Sequence, residues 1–216
     1  MRAGASSRLM YLVKTPSLLK PLSKDLLWHV STSEQTVYFT FDDGPTPGVT
    51  ESALELLKHY DAQATFFCLG KNVEAHPTLF HRIMQEGHAV ANHTYDHPDG
   101  WKTNQVAYLR NVIMAQKTIR SNLFRPPYGR MTSKQATALQ NRFPEIKIAM
   151  WDVLSGDFDR SKKGVWCARQ VQQNVRSGSV VVMHDSEKAW DRLRVCLPPI
   201  LEYFNNHGFR LEKLPG

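Results

Sequence analysis

Residues 40–50 read TFDDGPTPGVT: two adjacent carboxylates end an apolar, β-like run, and a turn built from glycine and proline follows. Like charges this close favour protonation unless a cation or a metal holds them. Either Asp42 and Asp43 are both solvated turn residues, or one has a metal and the other has a proton to move. Further on, residues 92–97 read NHTYDH. The spacing of His93 and His97 puts two imidazoles on one side of a helical turn, or at the two ends of a tight loop. Both then reach one cation, and with Asp43 as an oxygen ligand they make a two-histidine, one-carboxylate site with open positions. The alternative is a surface pair, with His93 capping a helix and His97 packing before Pro98.

The hydrophobic pattern supplies elements to position these residues. Short β-branched or aromatic runs alternate with amphipathic segments. The run at 36–41 precedes a helical pattern at 49–60, where Val49, Ala53, Leu56, Leu57 and Tyr60 share one face. Runs at 64–70, 88–92 and 123–127 precede helical patterns near 76–86, 103–120 and 132–141. Runs at 146–153 and 179–185 precede patterns at 163–176 and 190–206, and Gly208 opens a last run. Gly87, Gly178 and Gly208 sit where a helix end hands over to the next strand. About seven strands alternating with about six helices predict a parallel sheet, as a barrel or a doubly wound fold. A preamble at 1–35 and a single domain at 36–216 are expected.

In such folds catalytic groups gather at the C-terminal ends of the strands. The residues after successive runs are Asp42 and Asp43; Asn92, His93 and His97; Arg125 to Gly129; Asp152 and Asp157; then His184 and Asp185. Scattered surface residues would not collect at one end.

Composition narrows the classes. With 42% hydrophobic and 22% charged residues, this is an ordinary globular chain. The net charge of +7 is scattered rather than massed, so no nucleic-acid partner is expected. Cys68, Cys167 and Cys196 contain no C-x-x-C pair, which argues against a disulfide framework or a zinc ribbon. The basic N-terminus is broken by Lys14, Thr15 and Pro16, too soon for a signal peptide or a membrane span. The expectation is a cytoplasmic chain, or one exported by a route the sequence does not spell.

Four motifs then occur in order: TFDDGP at 40–45, HTYDH at 93–97, RPPYG at 125–129 and VVMHD at 181–185. Together they resemble the polysaccharide deacetylases of carbohydrate esterase family 4, the NodB homology domain, over roughly residues 36–213. The resemblance implies a distorted (β/α)7 barrel of parallel strands. It also implies a divalent metal, zinc or alternatively cobalt or manganese, and hydrolysis of N-acetyl groups on amino-sugar polymers or O-acetyl groups on xylan. By this resemblance Asp43 is the metal ligand with His93 and His97, and Asp42 is the general base. A nearby Arg125 would keep Asp42 ionised, or serve as a structural salt bridge. The resemblance places an oxyanion donor at Tyr128, whose amide is the first free N–H after two prolines; its ring could instead only pack. His184 is the candidate acid for the departing nitrogen, and a nearby carboxylate would raise its pKa. In WDVLSGDFD the carboxylate aligns best with Asp157, Phe158 stands where tryptophan is usual, and Asp152 competes.

Trp101, Trp151, Phe158 and Trp190 follow strands and are candidates for stacking on a sugar, or for core. The expected partner is an acetylated oligo- or polysaccharide in an open groove. N-deacetylation of N-acetylglucosamine-containing glycans leads. An O-acetyl esterase, or a catalytically silent carbohydrate-binding relative, are the alternatives.

Overall fold

In the computed structural model residues 13–14 and 26–216 are described, and the expected preamble at 1–12 and 15–25 lies outside them. The first half runs β1 (Leu26–Leu27), β2 (Thr36–Asp42), α1 (Val49–His59), β3 (Thr65–Cys68), α2 (Gly70–Ala75), α3 (Pro77–Gln85), β4 (Ala89–Asn92) and α4 (Gln105–Ile119). Next come β5 (Leu123–Phe124), a tight turn at Pro127–Gly129, α5 (Ser133–Arg142), β6 (Lys147–Ala149) and β7 (Val153–Leu154). The chain closes with α6 (Gly164–Asn174), β8 (Val180–His184), α7 (Glu187–Asn206) and β9 (Arg210–Glu212). Among the described residues no helix is long and apolar enough to cross a membrane.

All pairings between these strands are parallel, as strand–helix–strand crossovers require. The order is β1-β6-β5-β4-β3-β2-β8-β7, with β9 beside the first half of β2. β6 and β7 are joined by only residues 150–152 yet lie near opposite ends of that order. The sheet must therefore curl until its ends nearly meet, which gives the distorted barrel. The run expected as one strand at 146–153 is thus two. Met150 N donates to Leu27 O at 2.8 Å, while Asp152 N donates to Val180 O at 3.0 Å, so the chain changes edge within three residues. A continuous apolar run carries no mark of a change of partner.

Residues 26–30, read from the sequence as preamble, fill the seam. β1 pairs with β6, His29 bridges Ser179, and Val30 N donates to Gly178 O at 2.9 Å. The short helix α2 was not expected. It follows β3 directly, and its Gly70 and Lys71 amides donate to Thr94 O (2.9 Å) and Tyr95 O (3.1 Å), tying it to the histidine loop.

The strand alternation separates two faces. On β2, Val37, Phe39 and Phe41 join the layer under α1 and α7, where Phe41 stacks on Phe66 at 5.0 Å. Each such buried side chain contributes about 1.5–3 kcal/mol relative to exposure. Tyr38 instead joins Phe67, Ala91, Leu123, Ala149 and Val180 in a second cluster that fills the barrel.

Candidate active site

The inward phase of the strands continues to their C-terminal ends, and polar residues occupy it there. From Tyr38 the phase reaches Thr40 and Asp42; from Val180 it reaches Val182 and His184. Asp42 and His184 are direct neighbours in the β2–β8 register. From Ala91 the same step lands on His93, and from Leu123 on Arg125. The period of two that builds the core thus delivers the functional side chains to one mouth.

Arg125 is fully buried. Its Nη1 donates to Asp42 Oδ1 and Thr40 Oγ1, both at 2.7 Å, Nη2 to Met150 O at 2.9 Å and Nε to Ala149 O at 3.2 Å. The guanidinium lies 4.0 Å over the Phe67 ring. Each guanidinium nitrogen donates at least one hydrogen bond, which is what makes a buried cation tolerable. Burial pushes the Asp42 carboxyl upward, but the Arg125 charge, with His93 and His184 nearby, holds it below the usual carboxylate range. Arg125 takes Oδ1, so Oδ2 faces the mouth, 3.9 Å from His93 Nε2.

Asp43 turns the other way at φ 83, a left-handed backbone rare outside glycine. Its Oδ1 lies 3.7 Å from His93 Nε2 and 3.3 Å from His97 Nε2. One donor from each residue falls within 4.8 Å of the others. Asp43 Oδ1 is buried without a hydrogen-bond partner, a situation that costs about 1–3 kcal/mol. The His93 Nδ1–H donates to Arg125 O at 2.8 Å, so Nε2 presents a lone pair to that carboxylate. Burial pushes His97 down to about 4, which favours the neutral imidazole at physiological pH. A buried carboxylate oxygen without a hydrogen bond, facing two imidazole nitrogens, is a donor set that fits a divalent cation. Thr94 (φ 71) and His97 (φ 69) share the strained region, held by Thr94 N donating to Asn92 Oδ1 (2.8 Å) and His97 N to Thr94 Oγ1 (3.1 Å).

Opposite this cluster, Asp157 accepts from His184 twice, from its backbone N at 2.7 Å and from Nδ1 at 2.8 Å. Burial drives the His184 pKa down, but the Asp157 charge and hydrogen bond more than reverse it, raising it to about 9. Asp152, the competitor for this place, is buried away from His184 and accepts from Ser179 Oγ at 2.6 Å.

Asp42, Asp43, His93, His97, Tyr128 and His184 all line one cleft of about 780 Å³, within the size range of ligand-binding clefts. Gly129 and Arg130 donate the two turn bonds of RPPYG, to Pro126 O (2.9 Å) and Pro127 O (3.0 Å), leaving the Tyr128 N–H out of both. Trp151 and Phe158 stand in the cleft wall, the Phe158 ring edge-on to His184 at 5.4 Å. Trp190 packs against the core instead.

The sequence profile described as polysaccharide deacetylase matches residues 29–142, more than half of the chain. The chain belongs to the polysaccharide deacetylase family. This polysaccharide deacetylase is 30% identical to a peptidoglycan-N-acetylglucosamine deacetylase of Bacillus cereus, over 85% of this chain and 88% of that one. It is 29% identical to a chitooligosaccharide deacetylase of Azorhizobium caulinodans, over 86% and 96%. A solved peptidoglycan N-acetylglucosamine deacetylase in complex with a naphthalenyl N-oxidanyl-benzamide superposes with a TM-score of 0.84 at 28% identity, covering 93% and 95%. Family and fold together make the chain a hydrolase of the deacetylase class, with the curled parallel barrel of its relatives.

Of the eight residues given catalytic or metal-binding roles by the resemblance, six line this cleft, and Arg125 and Asp157 lie buried behind it against Asp42 and His184. Reading the deacetylase from sequence missed their supports. Asp185, noted at a strand end but given no task, takes the outward phase, where Thr50 Oγ1 donates to it at 2.6 Å and Gly44 N at 3.1 Å. Burial pushes its carboxyl up to about 8, the Thr50 bond opposing. A Cβ on Gly44 would fall on the Asp185 carboxylate, which explains the glycine after the paired aspartates. Asn72 Nδ2 donates to Asp43 O at 2.8 Å, and Arg192 Nε to Asp157 O at 2.6 Å. Alternation could have marked Asp185 as outward-facing; Asn72 and Arg192 come from helices and carry no local signal.

Proposed function

We propose that this chain is a divalent-metal-dependent deacetylase that releases acetate from N-acetylglucosamine units of a glycan. The observation that carries the reading is the buried, unpartnered Asp43 Oδ1 facing two imidazole nitrogens, flanked by an ionised carboxylate and a protonated histidine. Asp43, His93 and His97 would hold the ion. When bound, the ion supplies Lewis acidity to the acetyl carbonyl and lowers the pKa of water, zinc being the first choice and cobalt or manganese the alternatives.

The chain's own groups divide the proton traffic. Asp42 Oδ2 takes the proton of the attacking water, while Arg125 keeps the carboxylate ionised and fixed through Oδ1. The Tyr128 N–H supports the carbonyl oxygen as it gains negative charge, a role whose loss costs roughly 10²–10³ in rate elsewhere. The Nδ1–H of His184 is committed to Asp157, so its Nε2–H is the proton for the departing amine, which leaves badly without one. The N-acetylglucosamine unit common to the named substrates of the B. cereus and A. caulinodans relatives supports the choice of substrate.

Acetate release from chitin oligosaccharides and peptidoglycan fragments, beside an acetylated xylan, tests this. Release from the amides should stop with chelator, return with zinc, cobalt or manganese, and be lost in Asp42→Asn and His184→Ala. Turnover of the ester alone would make the chain an O-acetyl esterase. Chelator-resistant release would remove the metal from the reading.

A further inference from the structure

One large aromatic beside the cleft stands in water on a rigid support. Trp101 is 65% exposed, whereas Trp151 forms cleft wall and Trp190 packs inward. An exposed tryptophan on a loose loop needs no explanation, but this loop is fixed at each step. Asp99 accepts from Trp101 N (3.0 Å, at Oδ1) and, at its carbonyl, from Lys102 N (3.0 Å) and Thr103 Oγ1 (2.8 Å). Buried Gln135 donates to Gly100 O at 2.9 Å and Thr103 O at 3.0 Å, and is itself locked to Thr132 in a capping box. Gly100 lies against Arg130 so closely that a Cβ would strike the Arg130 carbonyl.

Arg130 joins the indole to the cleft. Its guanidinium lies 5.0 Å from the Trp101 ring and 5.7 Å from the Tyr128 ring, with Nη1 donating to Asp99 Oδ2 at 2.8 Å. The Tyr128 ring in turn stands 4.6 Å from that of His97. Tyr128 and Arg130 line the cleft and Trp101 does not. The three make a continuous ledge leading outward from the proposed ligand His97.

We infer that this ledge is a remote sugar subsite, where Trp101 stacks on a pyranose of the same glycan chain beyond the unit that is deacetylated. The inference rests on the proposed function for the identity of that chain. A pyranose presents C–H groups on its face and hydroxyls on its rim. A flat, pre-positioned indole suits the first, and the Arg130 N–H groups not held by Asp99 suit the second. Of the exposed neighbours of Trp101, Lys102, Asn104 and Gln105 are polar, while Val106 and Ala107 are small and apolar, so one ring in a mixed frame fits a sugar better than the broad apolar patch a protein partner needs.

The test compares kcat/KM on the N-acetylglucosamine dimer and hexamer for the wild type, Trp101→Ala, Trp101→Phe and, as a distant control, the exposed Val165→Ala. Calorimetric titration with the hexamer, with metal chelated to stop turnover, gives affinity independently. In Trp101→Ala the hexamer-to-dimer ratio and the hexamer affinity each fall about tenfold, as expected for one lost aromatic anchor. Trp101→Phe recovers part of both, and Val165→Ala changes neither. An unchanged ratio with unchanged affinity overturns the subsite and leaves the deacetylase reading intact. An equal fall on both lengths with a lowered thermal midpoint also overturns it, because Trp101 then only braces Arg130. If the wild type hydrolyses no glycan, the deacetylase reading fails by itself. The titration then decides the ledge, and absence of hexamer binding overturns it.

Discussion

At the residue scale, two ion pairs drive a base and an acid in opposite directions within one cleft. Arg125 lowers Asp42, and Asp157 raises His184 to about 9. Activity that needs ionised Asp42 and protonated His184 should hold across neutral pH and fall as pH rises through about 9. In Asp157→Asn the histidine loses its charge partner, so the alkaline limb of kcat/KM moves toward or below the ordinary histidine value; a limb that stays in place would deny His184 the role of acid. The same shift is a stability statement. A histidine raised on folding contributes stability fully present below its unfolded pKa and lost as pH rises through about 9. Arg125→Leu removes the largest charge opposing burial at Asp42, and should cost about 3–5 kcal/mol of folding free energy. Adding Asp42→Asn to that variant should restore part of the stability and none of the activity, as read by urea unfolding and acetate release.

At the element scale, legibility followed the range of the forces. β2, α1, α4, α6, β8 and β9 were readable because burying one face imposes its own period on the sequence. The gathering of polar residues at one end of the strands was readable from the order of the runs, while the roles given to them came from the four motifs. The structure adds that Asp42, His93, Arg125 and His184 extend an inward phase already marked by apolar residues. The β6–β7 break was not, because Met150 and Asp152 choose their partners, Leu27 and Val180, by tertiary closure. α2 was hidden by being six residues long and abutting Pro77. Asp157 over Asp152 was undecidable from spacing, and only the hydrogen bonds to His184 and Ser179 separate them. Glycines expose the difference between conformation and space. Gly178 and Gly208 have φ 83 and 73, but a Cβ at Gly178 would meet the Val30 carbonyl across the seam, while at Gly208 it would meet nothing. Gly208→Ala should cost about 1 kcal/mol, from backbone conformation alone. Gly178→Ala should cost distinctly more, because residues 26–30 must shift off the seam; equal urea midpoints would show that the seam carries no weight.

At the scale of the whole molecule, the proposed metal links parts of the chain that only folding brings together. Asp43 comes from the end of β2, and His93 and His97 from beyond β4, so the unfolded chain presents no such set. An ion at about a hundred times its dissociation constant should add about 2.7 kcal/mol, which for a chain of this size raises the thermal midpoint by roughly 5–10 °C. The bare site should be a liability, because it keeps a buried carboxylate oxygen without a hydrogen bond. Asp43→Asn tolerates the left-handed backbone and offers an N–H to the imidazoles. That variant should lose the metal-induced rise and all deacetylation, yet melt about 1 kcal/mol more stably than the chelated wild type. A lower midpoint for chelated Asp43→Asn would mean that Asp43 is held in place for structure. A higher one would mean that folding stability is given up at this position so that an ion can be bound.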